Sequence, residues 1–171
     1  GETIQARWER KGGRLRAEEV LSIADQLLDV LVAAHAAGVV HRDLKPENLF
    51  INHDAQLKVL DFGIARLREM GESTTATRTG VVMGTPAFMA PEQARGRWES
   101  VEHRTDLWAV GATMYTLITG RYVHEGGTVN EMLASAITRP ARPIREIDPS
   151  VPERVARLID RALAYDMDAR F

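Results

Sequence analysis

Hydrophobic positions recur mostly at helical spacing along this chain. From residue 18 to Gly38 apolar side chains return every three or four positions, which predicts a long helix with a broad buried face. The members of this stripe are Val20, Leu21, Ala24, Leu27, Leu28, Leu31, Val32 and His35. Residues 105–119 are almost wholly apolar, so they predict a buried central helix that Gly120 ends.

Two Ser/Thr-x-x-Glu capping boxes predict two further helices. One box begins at Thr128 and predicts a helix to about Thr138. The other begins at Ser150 and predicts a helix to about Tyr165. The expected core face of this last helix comprises Val155, Leu158, Ile159, Ala162 and Leu163.

The remaining segments are shorter or irregular. Residues 2–11 predict a short polar helix, and residues 49–51 and 57–60 predict a small β-hairpin around a polar turn. Residues 68–84 are rich in Thr, Ser and Gly, which predicts a long mobile loop. Residues 139–149 are rich in Pro and Arg and predict an extended linker. The pattern as a whole indicates a mainly α domain.

Composition narrows the class of protein. The 171 residues suffice for one domain, and the net charge of -2 provides no basic field for nucleic acid or an anionic membrane. Cysteine is absent, which excludes disulfides and fits a reducing compartment. The longest apolar run is too short to span a bilayer, and no secretory signal is present. We therefore expect a cytoplasmic domain with no nucleic-acid or membrane partner in this segment.

The candidate chemistry lies in residues 41–48, His-Arg-Asp-Leu-Lys-Pro-Glu-Asn. Asp43 could orient an attacking hydroxyl and accept its proton, and Lys45 could neutralise charge on a transferred phosphoryl group. The side-chain oxygen of Asn48 suits a hard cation such as Mg²⁺. Asp61 follows a predicted strand and could supply the carboxylate that such a metal needs.

These motifs together resemble the C-terminal lobe of a Ser/Thr protein kinase, in the style of bacterial members of that family. The matching elements are residues 41–48, Asp61-Phe62-Gly63, Gly84-Thr85-Pro86, Ala90-Pro91-Glu92, residues 106–111 and residues 168–171. The resemblance covers essentially all of residues 1–171. It implies a kinase-like helical bundle with a small β-hairpin at the catalytic loop. It also implies that ATP and Mg²⁺ are cofactors and that the γ-phosphoryl group goes to Ser or Thr of protein substrates.

The resemblance also assigns roles to individual residues. The catalytic residues it implies are Asp43, Lys45 and Asn48, and the metal ligands are Asn48 and Asp61. The activation-segment residues are Arg42, Thr74, Thr75, Thr77, Thr79 and Thr85, with Arg42 expected to hold a phosphate on that segment. The structural residues are His41, Phe62, Gly63, Glu92, Asp106 and Arg170. An unmodified polar loop is the alternative interpretation of the Thr cluster.

The ATP-clamping parts of a kinase are missing from the 171 residues. No Gly-x-Gly-x-x-Gly occurs, and none of the three lysines, Lys11, Lys45 and Lys58, lies in a Val-Ala-Ile-Lys-like strand. We therefore expect that the N-terminal lobe is absent, that the last helix is truncated and that the isolated chain is inactive. The surface that would meet the missing lobe, near Phe50, Leu60 and Phe62, is expected to be partly apolar. Such a surface favours self-association or coverage by a mobile loop.

Two other functions remain open on these residues. The first is a non-catalytic, kinase-like module that binds a protein partner and transfers nothing. The second is phosphotransfer to a small molecule. The presence of Lys45 and of Ala90-Pro91-Glu92 disfavours the second, because small-molecule kinases usually lack both.

Overall fold

The fold is a helical bundle with a small sheet on one edge. The computed structural model describes residues 1–61 and 86–171. In these ranges the strands are β1 (Glu2–Thr3), β2 (Leu49–Ile51) and β3 (Leu57–Val59). The helices are α1 (Ile4–Arg10), α2 (Ala17–Ala36), α3 (Pro91–Ala94), α4 (His103–Thr119), α5 (Val129–Thr138), α6 (Ile144–Ile147) and α7 (Glu153–Ala162). Within the described ranges, no helix is both long and apolar enough to cross a membrane.

Helix α4 is the centre of the bundle and packs against both α2 and α7. Trp108, Ala112 and Leu117 are completely buried, as the apolar run predicts. Gly111 lets α7 approach closely, because a Cβ at this position would lie 2.8 Å from Cβ of Ala162. Gly120 ends the helix in the left-handed conformation with φ of 73°, which glycine adopts without steric cost.

Three residues of the predicted core faces are exposed. Val32 and Leu28 on α2 are 70% and 39% exposed, and Leu158 on α7 is 48% exposed. The prediction of buried positions was wrong for these residues, because each helix meets its neighbours over a narrower stripe than its apolar pattern spans. The α2 residues that are buried are Val20, Ile23, Ala24, Leu27 and Leu31.

The predicted hairpin forms, and it is part of a three-stranded antiparallel sheet with β2 in the middle. Leu49 pairs with Val59, and Thr3 pairs with Phe50. The prediction of a helix from residue 2 was therefore wrong for Glu2 and Thr3. The helix begins two residues later than predicted, at Ile4, because the Thr3 hydroxyl accepts a hydrogen bond from the N–H of Ala6 at 3.1 Å and caps α1.

One of the two predicted capping boxes forms. The Thr128 hydroxyl accepts from the Glu131 N–H at 3.2 Å, as predicted. The prediction at Ser150 was wrong, because its hydroxyl donates to Asp148 at 2.6 Å and the helix begins only at Glu153. This helix also ends at Ala162, three residues before the predicted end. The predicted linker of residues 139–149 contains the short helix α6.

A buried ion pair joins the end of the chain to the bundle. The Arg170 side chain is 0% exposed and binds both carboxylate oxygens of Glu92, at 2.9 and 3.0 Å. It also donates to the carbonyl of Ala164 at 2.9 Å, and the Thr105 hydroxyl donates to Glu92 at 2.8 Å. Burial alone raises the pKa of Glu92, but the hydrogen bonds and charge of Arg170 outweigh it and hold the pKa below its usual value.

We predict that Arg170→Ala destabilises the fold by about 3–5 kcal/mol, because it leaves the Glu92 carboxylate buried without its partner. The measurement is the free energy of unfolding in urea. The matched control is Arg157→Ala, which breaks an ion pair with Glu153 whose two side chains are each 66% exposed. The control should change stability by less than about 0.5 kcal/mol. Equal losses for both variants would contradict this account of the pair.

Candidate active site

The carboxylate of Asp106, in the first turn of α4, holds the start of the 41–48 loop. Its two oxygens accept the backbone N–H groups of His41 and Arg42, both at 2.9 Å. His35 on α2 donates from Nε2 to the same carboxylate at 2.8 Å. Asp106 is only 1% exposed, so these three donors replace the water it has lost. The loop therefore starts from a fixed point on the central helix.

The imidazole of His41 links the loop to the end of β3. The ring is completely buried. Its Nδ1 accepts from the Asp43 N–H at 3.3 Å, so the ring proton sits on Nε2, which donates to the carbonyl of Leu60 at 3.1 Å. This second anchor orients the backbone of Asp43 and ties it to the residue before Asp61.

Three polar side chains converge beyond these anchors. Lys45 Nζ lies 3.1 Å from Oδ2 of Asp43, and Asn48 Nδ2 lies 3.3 Å from the same oxygen. The side chains of Asp43 and Lys45 are 33% and 18% exposed, so solvent or a substrate can reach the carboxylate. Oδ1 of Asp43 accepts no hydrogen bond from the described residues. The carboxylate is thus held by one oxygen and open at the other.

The amide of Asn48 is oriented by the loop itself. Nδ2 donates to the backbone carbonyl of Asp43 at 2.9 Å, which identifies the other terminal atom as the oxygen. That oxygen has no hydrogen bond to any described residue. The Asn48 carbonyl accepts from the Leu60 N–H at 2.8 Å, so the hairpin brings Asn48 and Asp61 to the same end of the sheet.

The donors at this end of the sheet suit magnesium better than zinc. Asp61 is exposed and has a φ of 49°, uncommon for a residue other than glycine. Among residues 1–61 and 86–171 no group of three or more His, Cys, Asp or Glu could hold a metal ion. A carboxylate and an amide oxygen are enough for Mg²⁺, which usually completes its shell with water and substrate phosphates. The donor set of Asn48 and Asp61 therefore fits this ion.

Gln93 connects the loop to the segment that contains Ala90-Pro91-Glu92. Its Nε2 donates to the carbonyl of Arg42 at 2.8 Å, and its Oε1 accepts from the Ala90 N–H at 3.2 Å. Arg42 has a φ of 70°, a strained conformation for this residue type. The contact with Gln93 and that with Asp106 hold the Arg42 backbone from both sides.

The structure brings His41, Asp43, Lys45, Asn48 and Asp106 together, with Asp61 at the adjoining strand end. Glu92 and Arg170 form the separate buried pair described above. Thr105, the residue before Asp106, donates a hydrogen bond to Glu92 and so connects this pair to the site. The remaining predicted residues, Phe62, Gly63, Thr74, Thr75, Thr77, Thr79 and Thr85, lie outside the described residues. Leu60 is 39% exposed and Phe50 is half-buried, which leaves some apolar surface beside the site.

Comparison with known families decides what this arrangement belongs to. A model of the protein kinase domain matches residues 1–171. The chain belongs to the protein kinase family. The mainly helical lobe and the loop geometry agree with the resemblance found in the sequence.

Similar proteins are bacterial kinases. Serine/threonine-protein kinases Pkn1 and pkn3 of Myxococcus xanthus are 42% and 40% identical to the kinase chain, each over 94% of it. PrkC of Bacillus subtilis (strain 168) is 35% identical over 93% of the chain. The matched regions are 23%, 29% and 24% of those three relatives, respectively. The chain thus spans about a quarter of the length of the relatives it matches.

Sequence reasoning misses two residues that hold the 41–48 loop in place. His35 was assigned to the helical stripe as a core residue, whereas it binds the Asp106 carboxylate. Sequence reasoning gives Gln93 no role, although it is only 5% exposed and binds the 41–48 loop. A polar residue in an otherwise apolar helical stripe indicates a buried polar contact, and this signal could have identified His35. Gln93 had no local signal, because its partner lies 51 residues away in the chain.

We predict that Asp106→Asn destabilises the chain by about 2–4 kcal/mol. The substitution replaces one carboxylate oxygen with an NH₂ group, which cannot accept, so one of the two buried backbone N–H groups loses its partner. Urea denaturation measures the loss. Asp29→Asn is the matched control, since Asp29 is exposed on α2 and should tolerate the change within about 0.5 kcal/mol. A stability of Asp106→Asn within error of the control would contradict the role assigned to this carboxylate.

Proposed function

We propose that residues 1–171 supply the acceptor-and-metal side of a Ser/Thr kinase active site. In this proposal the protein transfers the γ-phosphoryl group of ATP to a Ser or Thr hydroxyl of a protein substrate. The observation that carries it is the Asp43 carboxylate, whose Oδ2 is held by Lys45 and Asn48, while Oδ1 accepts no hydrogen bond from the described residues and the side chain is 33% exposed.

Asp43 has the geometry of a group that positions a nucleophile. The open Oδ1 can accept a hydrogen bond from an incoming hydroxyl and then its proton as the phosphorus–oxygen bond forms. The backbone anchors at His41 and Asp106 fix where that oxygen lies before the substrate arrives. Positioning of this kind is a main source of rate enhancement in phosphoryl transfer.

Lys45 supports the Ser/Thr assignment. A lysine two residues after the catalytic Asp is typical of Ser/Thr kinases, and the similar bacterial proteins carry that description in their names. Its ammonium group lies beside Asp43 at 3.1 Å and can also approach the oxygens of a phosphoryl group in transfer. Small-molecule phosphotransfer has no comparable support.

Asn48 and Asp61 are the proposed ligands of Mg²⁺. The Asn48 side chain also bonds to Asp43, and Asp61 directly follows Leu60, whose N–H donates to the Asn48 carbonyl. A bound Mg²⁺ offsets the negative charge of the phosphates. The two hydrogen bonds from Asn48 Nδ2 to Asp43 orient the amide so that its oxygen points away from Asp43.

Residues 1–171 contain neither the Gly-rich loop nor the strand lysine with which a kinase holds ATP. We therefore propose that the isolated segment has negligible kinase activity. Self-association through the apolar surface near Phe50 and Leu60 is a further proposal, which light scattering of the purified chain would test.

We predict that Asp43→Asn lowers kcat for phosphotransfer to protein by roughly 10²- to 10⁴-fold, because the amide cannot accept the hydroxyl proton. The assay measures transfer of radiolabel from ATP to protein Ser and Thr by the protein as its gene encodes it. The exposed control Asp29→Asn should keep full activity.

Two outcomes of this assay would count against the proposal. If Asp43→Asn kept activity close to that of the control, the role of Asp43 would be wrong. If the unaltered protein transferred no phosphate while still binding a protein partner, the non-catalytic module would be the better interpretation.

A further inference from the structure

A second polar cleft lies at the other end of α4 from the proposed catalytic loop. It has a volume of about 300 Å³ and is lined by residues from the end of α4, the 120–127 loop, α5 and the segment before α6. Tyr115 lines it and is nine residues after Asp106, which corresponds to about 14 Å along the helix axis. The cleft is therefore distinct from the site around Asp43.

Three arginines face this cleft. Arg121, Arg139 and Arg142 line it, and the only carboxylate among the described lining residues is Glu125. Arg121 and Arg139 form no ion pair with any described residue. Arg142 pairs with Glu146 at 3.5 Å, but both side chains are more than half exposed, so that contact is weak. The lining thus carries an excess of positive charge.

One buried polar atom at the cleft, Nε2 of His124, lacks a partner among the described residues. The Nε2 atom of His124 is buried and has no hydrogen bond, although the residue is only 3% exposed. Tyr115 is 2% exposed, and its hydroxyl bonds to no described residue. Buried polar groups are normally paired, so the unpaired Nε2 atom of His124 indicates a polar ligand or ordered water at this cleft.

The charges around these two groups favour an anionic ligand over water alone. Burial, followed by the charge of Arg139, lowers the pKa of His124 to about 4, so its ring is neutral at pH 7. Burial raises the pKa of Tyr115, which keeps its hydroxyl available as a donor. Asp160, whose charge also acts on Tyr115, already accepts the Ile144 N–H at 2.9 Å. The positive potential from the arginines is therefore only partly balanced.

From this combination we infer that the cleft binds a phosphate monoester on a phosphorylated Ser or Thr side chain of a protein. Arg121, Arg139 and Arg142 would contact the phosphate oxygens, and Tyr115 and His124 would donate to them from the buried side. Arginine is suited to this task because its planar guanidinium group offers paired donors.

A phosphorylated side chain fits the shape of the cleft. A volume of about 300 Å³ accommodates one side chain with its phosphate but is at the lower limit for a whole small-molecule ligand. Arg139, Pro140, Arg142 and Pro143 are exposed at the edge of the cleft, where a bound peptide could continue. The inference rests on the proposed function, because phosphorylated Ser and Thr are the products of that reaction.

The test is a direct binding measurement that needs no catalysis. We would titrate the protein as its gene encodes it into a fluorescein-labelled peptide with one central phosphothreonine and follow anisotropy. Matched peptides with Thr or Asp at that position should bind at least about tenfold more weakly. The double variant Arg121→Gln, Arg139→Gln should weaken binding of the phosphopeptide by a similar factor, and Tyr115→Phe by about three- to tenfold.

The control variant is Arg157→Gln, which removes one positive charge from the exposed face of α7 and should leave binding unchanged. Arg121 and Arg139 are exposed, so the double variant should fold, and its thermal unfolding would verify this. Equal binding of the phosphorylated and unphosphorylated peptides, or no difference between the double variant and the control, would overturn the inference. Inorganic phosphate that binds as tightly as the phosphopeptide would overturn the assignment to a protein ligand. None of these outcomes depends on kinase activity, so the proposed function is tested separately.

Discussion

The proposed active site depends on one buried carboxylate. Asp106 sits in the first turn of the central helix and accepts two consecutive backbone N–H groups from the 41–48 loop, as well as the imidazole of His35. A loop of this length would ordinarily sample many conformations, at a cost of about 1–2 kcal/mol for each residue that is fixed. The carboxylate offsets part of this cost at the point where the loop leaves the core. Asp43, Lys45 and Asn48 can then converge without help from a substrate.

The helix that carries Asp106 links several parts of the protein. Thr105, its neighbour, donates to Glu92 in the buried pair with Arg170, so the same turn of α4 contacts both the loop and the end of the chain. Gln93, next to Glu92, donates a hydrogen bond to the carbonyl of Arg42 in the 41–48 loop. A change in any one of these contacts therefore affects the 41–48 loop through only one or two intervening residues. The far end of α4 carries the arginine-lined cleft, so one rigid helix connects the two polar sites.

The sequence predicts most of the fold and much of the site. The 3.6-residue period predicted α2 and the almost wholly apolar run predicted α4. The order of short motifs predicted the residues that converge around Asp43. The failures have local causes. Glu2 and Thr3 form a strand because β2 is available to pair with them, which no local pattern reveals. Ser150 bonds to Asp148 instead of capping a helix, and Val32 lies beyond the stripe that meets α4. The role of Gln93 depends on a contact between distant segments, which spacing along the chain cannot show.

Amide hydrogen exchange measured by NMR at His41 and Arg42 tests the central claim most directly. If the Asp106 carboxylate holds these two N–H groups in the folded protein, both amides should exchange as slowly as the buried amides of α4, through global unfolding only. Exchange at the fast rate of an open loop would contradict the account, because the start of the loop would then not be fixed by Asp106.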